Sequence, residues 1–437
     1  MSGPKSELLC ILPWLKLEET IEGPPVWFHP FDAEERPAGM PAALHDRIVK
    51  ILSSYRQLTG TPVLRATLVS DSLQLTIPEE TETVVESLSR EIERLTLATV
   101  AANRFAERFA LVYANSTLFQ AFFQRFSLDS EYIGLERRRR DGWALDGGYQ
   151  HGEIHFSVPP EAAVGATPRP DRGLLKGIRA LPLGDPLGGR LNMAIPRFNA
   201  ANTDHAFVSI GQECVLLAGA FDALLGSPGS KIGVAQNLKS CLDPPEKVLF
   251  GSSRRWNSRS PLFDGALDRG SPRGERKNVE RMRNEGWSLS SAWMWDFYRV
   301  RSLYDHGIGV IAGETLWTPF EHLLAGTHIF PLLVKSMLHA KDAYQWSESD
   351  EDALLVLERR LDASDWLRRN GDGECAWGLI GREADRFRLR RYFDDAVTKV
   401  FAEMSSVSAV VSPPDNVTAV GPHGEIQQIE TTVGGDE

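Results

Sequence analysis

Apolar residues in the first 160 positions follow two different periods. Residues 8–17 (LLCILPWLKL) form a nearly continuous apolar run, which predicts a strand broken at Pro13. Over 40–58 the apolar positions Leu44, Ile48, Ile51 and Leu52 recur at helical spacing. TPVLRATLVSDSLQLTIP then alternates apolar and polar residues, as a hairpin would. From Glu80 to Ala114 the helical period returns, with Val84, Leu88, Ile92, Leu95 and Val100 on one stripe. The segment EYIGLERRRRDGWALDGGYQHGEIHFSVP reads as strands around a turn, with its ERRRRDG run at a solvated hairpin end.

After this α+β module the pattern changes. The Pro-, Gly- and Ala-rich stretch PPEAAVGATPRPDRGLL predicts a linker, set at residues 161–175. Helical spacing dominates beyond it. One helix is expected over Ile210–Leu225 with a stop at Gly226, and one from Ser288 to Gly307. Another covers roughly 318–340 with a break or kink at Pro331, and two more lie near 349–368 and 383–404. The expected organisation is an α+β N-terminal domain (1–160), a linker, and an all-α helical bundle (176–345). A helical extension (346–411) and a disordered acidic tail (412–437) without periodicity follow.

Composition narrows the class. The chain has 437 residues, 42% hydrophobic and 24% charged, the balance of a soluble globular protein of more than one core. A net charge of -11 argues against a general nucleic-acid coat while leaving room for a local basic patch. The four cysteines stand far apart with no CxxC pair, so neither a disulfide framework nor a zinc site is expected. The first residues are too briefly apolar for a signal peptide. No run reaches the roughly 18 apolar residues of a membrane span. A cytoplasmic location and no membrane partner are expected.

The chemistry concentrates in WSLSSAWMWDFYRVRSLYDHG. Ser288 is placed to cap the helix, and Leu289, Trp293, Phe297, Val300 and Tyr304 share one stripe. Arg301 precedes His306 by five positions, a step of about 140° on an ideal helix. The two converge only if His306 sits at the frayed last turn, or if a partner subunit supplies the second pair. The helix C-terminus and Asp305 both favour a protonated His306, able to exchange protons near neutral pH. Spacing alone favours a helix-capping Arg and His on a structural surface.

WDFYRVRSLYDHG resembles the signature of HEPN domains from bacterial defence and abortive-infection proteins. In these an Arg followed by a polar residue stands four to six residues ahead of a His. Arg301, Ser302 and His306 match in that order. Arg299 also has a permitted spacing but is followed by the apolar Val300. RFNAANTDHAFVSIGQECVLLAGAFDALLG resembles the first long helices of such a domain, and LWTPFEHLLAGTHIFPLLVK its closing one. Asp222 stands where the family has Glu. Ile308, two residues after His306, departs from the subset silenced by nucleotide attachment to a tyrosine.

The resemblance implies a metal-independent endoribonuclease with no cofactor. His306 would take the ribose 2′-OH proton and Arg301 would stabilise charge on the attacked phosphate, with two protomers lining one cleft. Asp305, Asp222 and His322 are candidates for supporting positions. A phage-derived trigger or companion protein is an expected partner, and residues 1–160 the expected sensor. The alternative is a non-catalytic HEPN scaffold for RNA binding or dimerisation.

An RNA substrate fits the preceding segment. Between Arg254 and Arg283 nine Lys/Arg stand against four Asp/Glu on an otherwise acidic protein. Arg254, Arg255, Arg259 and Arg299 are the candidate RNA contacts, with Trp256 as a stacking face. A solvated basic loop fits the same composition. His151 and His155 share a face of an expected strand but lack a third ligand. No GxxxxGK[ST] loop or GxSxG elbow is present.

Overall fold

The structure is a computed structural model. It describes residues 7–71, 76–77, 82–102, 115–140, 142–159, 168–182, 184–203, 205, 207–226, 231–242, 280, 284, 289–310, 315–361 and 397. Contacts divide the chain into two units, Met1–Asp385 and Arg386–Glu437. Val397 is the described residue of the second unit. The expected helix at 383–404, apart from that residue, and the tail at 412–437 lie outside the described residues.

The first unit opens with an α+β arrangement. Strands β1 (Glu7–Leu12), β2 (Trp27–Asp32), β4 (Arg65–Ser70), β5 (Phe122–Phe126), β6 (Tyr132–Arg139) and β7 (Gly142–Gln150) form one sheet in the order β2-β4-β1-β5-β6-β7. Every neighbouring pair is antiparallel. Two short strands, β3 (Tyr55–Arg56) and β8 (Phe156–Ser157), pair in parallel apart from it. β1 is central, and Leu8 to Leu12 are all buried, which is why its sequence is continuously apolar rather than alternating. β6 and β7 form the expected hairpin, with Arg139 opposite Gly142.

The hairpin expected over 61–78 does not form. β4 pairs with β1 and β2, and Ile77 bridges back to Leu8 rather than to β4. Alternation reports one buried face, and three antiparallel neighbours could each have satisfied it.

Helices α1 (Ala42–Leu52) and α2 (Glu82–Ala102) fall inside the module, as the periodicity predicts. Among the described residues seven more follow: α3 (Arg172–Ala180), α4 (Pro186–Ala201), α5 (Ile210–Leu225), α6 (Lys231–Leu242), α7 (Leu289–Asp305), α8 (Pro319–His339) and α9 (Glu348–Leu361). Helix α3 begins inside the stretch read as linker, capped by Asp171, whose side chain accepts from the Leu174 N–H. α5 carries a Ser209/Gln212 capping box and ends at Gly226 in the left-handed conformation. α8 has a second capping box, Thr318/Glu321, and runs through Pro331 as one helix. No helix among the described residues is long and apolar enough to cross a membrane.

Two hydrophobic cores result, and α2 belongs to both. Val85, Leu88, Ile92, Leu95 and Ala98 pack into the sheet core. Leu97, Val100 and Ala101 pack into the helical core. The single stripe expected for this helix is therefore two, with Val100 on the second.

Polar contacts reinforce that junction. Glu91 of α2 is 1% exposed; its carboxylate accepts from Arg94 one turn on and from Nε of Arg179 in α3 at 2.7 Å. Arg179 also donates to the carbonyl of Val26 at 3.0 Å, just before β2. A second staple centres on buried Lys335 of α8, which pairs with Asp171 at the start of α3 and with Asp350 of α9.

Replacing Glu91 with Ala leaves two guanidinium groups that are nearly buried without their shared carboxylate. The expected loss is about 3–5 kcal/mol of unfolding free energy. Urea titration of the full chain checks this, and a loss below about 1 kcal/mol would show that the arginines find other partners.

Candidate functional site

The end of α7 is built by its closing turn. From Leu289 to Tyr298 every residue is buried, and Trp293 stacks on Phe297 with ring centres 5.0 Å apart. The helix then emerges. Arg301 through Tyr304 are half-buried, and Asp305, His306, Gly307 and Ile308 are exposed. Gly307 has φ +68°, which a residue with a Cβ rarely adopts. The Gly307 N–H donates to the Tyr304 carbonyl at 3.0 Å and the Ile308 N–H to the Leu303 carbonyl at 3.0 Å. This pair of bonds is a Schellman cap, in which His306 is the C-cap residue. Its own N–H donates to the Ser302 carbonyl at 3.2 Å. The last turn is capped rather than frayed.

Arg301 and His306 thus occupy one helix end, Arg301 on the last full turn and His306 just past it. The direct partner of Arg301 is Asp305, one turn ahead. Arg301 Nε lies 2.7 Å from Asp305 Oδ2, an ion pair whose N–H is not aligned as a hydrogen bond. Both side chains are about a third exposed, so the pair is weak. Asp305 is therefore the ion-pair partner of Arg301, a contact the sequence did not point to.

Behind Arg301 lies Tyr298, three residues earlier on the same face. Its hydroxyl donates to Asp222 Oδ1 in α5 and sits 3.3 Å from the Ala218 carbonyl. Burial first, and then the hydrogen bond to the Asp222 carboxylate, push the Tyr298 phenol well above its ordinary range, while the nearby Arg301 cation pulls the other way. Asp222 and Tyr298 are hydrogen-bonded between α5 and α7, and Arg301 and Asp305 pair one turn further along α7. Tyr304 lies against α5, its phenol raised by burial and by Cys214.

His322 stands elsewhere. It is 0% exposed, with Nε2 3.2 Å from Oδ2 of the equally buried Asp296. The same Asp296 oxygen accepts the N–H groups of Leu316 (2.8 Å) and Trp317 (3.2 Å). The rings of Trp293, Phe297 and Trp317 surround the imidazole. This is a core pair that fastens the loop before α8 to the middle of α7, so His322 packs and supports from inside the helical core rather than facing solvent.

Arg299 is half-buried, and two positions from Arg301 it points to another side of the helix. Ser302 is half-buried and gives its carbonyl to the cap. Ser288, Arg254, Arg255, Trp256 and Arg259 lie outside the described residues. His151 is in a turn after β7 rather than on a strand, near Ser53 at 3.4 Å, and His155 is exposed beyond it. Burial and then Lys50 lower the His151 pKa. Among the described residues no three His, Cys, Asp or Glu side chains gather as a metal ion would require.

Compared with known proteins, the chain matches no family model, no curated protein and no solved structure.

Sequence reasoning missed Tyr298 and Asp296. Tyr298 shares the i, i+3, i+7 face with Arg301 and Asp305, and that spacing was available. Asp296 is an acid inside the apolar run WMWDF, a placement that signals a buried partner.

Tyr298→Phe removes the donor that Asp222 accepts. A loss of about 1–2 kcal/mol is expected, read as a lower urea midpoint with unchanged slope. An unchanged midpoint would mean that Asp222 finds water in its place.

Proposed function

We propose that the chain is an endoribonuclease of the HEPN type. His306 withdraws the proton of a ribose 2′-OH, and the freed oxygen attacks the neighbouring phosphorus. The 5′ oxygen leaves and takes up a proton, so the products are a 2′,3′-cyclic phosphate and a 5′-hydroxyl. Arg301 stabilises the negative charge that builds on the phosphate oxygens. Neither role calls for a metal or a cofactor.

The observation that supports this reading is the capped end of α7. An exposed imidazole stands on backbone fixed by the cap. On the preceding turn of the same helix is the Arg301 guanidinium, whose Nε is paired with Asp305. Tyr298 and Asp222 back the arginine, and a positioned cation of this kind is what phosphoryl charge stabilisation needs. Ser302 occupies the polar position of the motif. Arg299 and the basic segment with Arg254, Arg255, Trp256 and Arg259 are proposed to bind the RNA backbone and a base. The resemblance further suggests a homodimer through the helical part, cytoplasmic action in bacterial antiphage defence, and a sensing role for residues 1–160.

A second reading draws on the Arg301–Asp305 pair, which engages the arginine within the chain itself. It is a HEPN scaffold that binds RNA or dimerises without cutting.

Labelled tRNA and mRNA incubated with the purified chain in EDTA decide between them. Cleavage is expected from the wild-type protein, with a loss of at least about a hundredfold in His306→Ala. Equal cleavage by both would end the assignment of His306. Absence of cleavage together with RNA binding would favour the scaffold.

A further inference from the structure

Beside the end of α7 runs an apolar groove of about 510 Å³, lined by Phe207, Ser209, Gly211, Val215, Leu216 and Tyr304 among others. Its volume is that of a small-ligand pocket. Two features of it bear on what it could hold. Phe207 is 89% exposed at the rim, so its ring contributes little to either core. Gly211 lies directly under Tyr304, where an added Cβ would meet the ring at 2.6 Å. Only glycine allows the tyrosine ring to approach α5 this closely, and the ring also lines the groove.

The position matters as much as the shape. Tyr304 is one turn beyond Arg301 and two residues before His306, so the groove opens on the same helix end as the proposed cleavage site. The polar groups at its wall are few, and Gln212 is committed to the α5 capping box. Such a surface can recognise a flat π-face but offers little to read a base edge.

We infer that the groove seats an unpaired base of the RNA substrate, stacked on Tyr304 and Phe207, next to the phosphate held at Arg301. The inference rests on the proposed ribonuclease reading and narrows it. The substrate is single-stranded at the cut, because bases inside a duplex cannot enter. Sequence preference is weak, because every base has a π-face. Arg301, on the turn before Tyr304, carries the charge that an RNA phosphate would complement by displacing its weak surface pair with Asp305.

The test uses the full chain with His306→Ala, so that the probe stays intact. The probe is a fluorescein-labelled RNA octamer, compared with its duplex and with octamers carrying one abasic nucleotide at each position in turn. Single-stranded RNA is expected to bind at least about tenfold more tightly than duplex, and Phe207→Ala to weaken it about tenfold. An abasic nucleotide at one register should cause the same loss, with no further loss when combined with Phe207→Ala. Phe207 is solvent-exposed, so the variant retains the fold.

A change below twofold for Phe207→Ala, or a flat abasic series, would overturn the inference. So would a shift from dimer to monomer in light scattering with RNA affinity unchanged, which would make the groove a seat for a second copy. Wild-type cleavage of the same octamer separates the two claims. Phe207-dependent binding without cleavage keeps the groove and removes the ribonuclease. Cleavage with flat binding does the reverse.

Discussion

Much of the first unit depends on one buried carboxylate. Glu91 sits on α2, the helix that serves two cores, and it is shared between Arg94 and Arg179. Charge buried to this degree is tolerable only when compensated, and the compensation here ties three elements together. Arg179 reaches from α3 through Glu91 to the Val26 carbonyl, so the helices and the segment leading into β2 meet at one guanidinium. The apolar contacts of α2 provide most of the burial, while the ion pairs fix how the helix is set between sheet and bundle.

That arrangement bears on how the helical part presents its chemistry. α4 packs on α2 through Asn199, which donates to the Glu93 carbonyl at 2.9 Å. α5 packs on α4 and carries both Asp222 and the wall of the groove. α7 lies on α5 through Tyr298 and Tyr304. The exposed end of α7 is therefore the last member of a chain of packed helices that begins at the sheet. Rigid elements of this kind hold a site more closely than a loop does.

Local features of this structure were legible in the sequence, and non-local ones were not. The ends of α5 could be read because Ser209, Gln212 and Gly226 carry their own cap chemistry within a few residues. Gly307 marked the end of α7 for the same reason. The partners of β4 could not be read, because alternation identifies a buried face and not the neighbour that hydrogen-bonds to it. The double role of α2 was hidden by the expectation of a single stripe, which holds for a surface helix but not for one between two cores. His322 and Asp296 stand on different helices, and nothing in either local pattern announces that they meet. Arg301 and His306 were legible as a motif, whereas the hydrogen bond from Tyr298 to Asp222 needed the packing of α5 on α7.

The cap at Gly307 also has a consequence for how fast that helix end gives up its protons. Amides at an exposed chain end ordinarily exchange with solvent almost freely. Here the N–H groups of His306, Gly307 and Ile308 are each held by carbonyls of the preceding turn. Their exchange must wait for that turn to open, and the turn grows directly out of the buried length of α7. Three exposed residues should then carry amides that exchange more slowly than those of an open chain end.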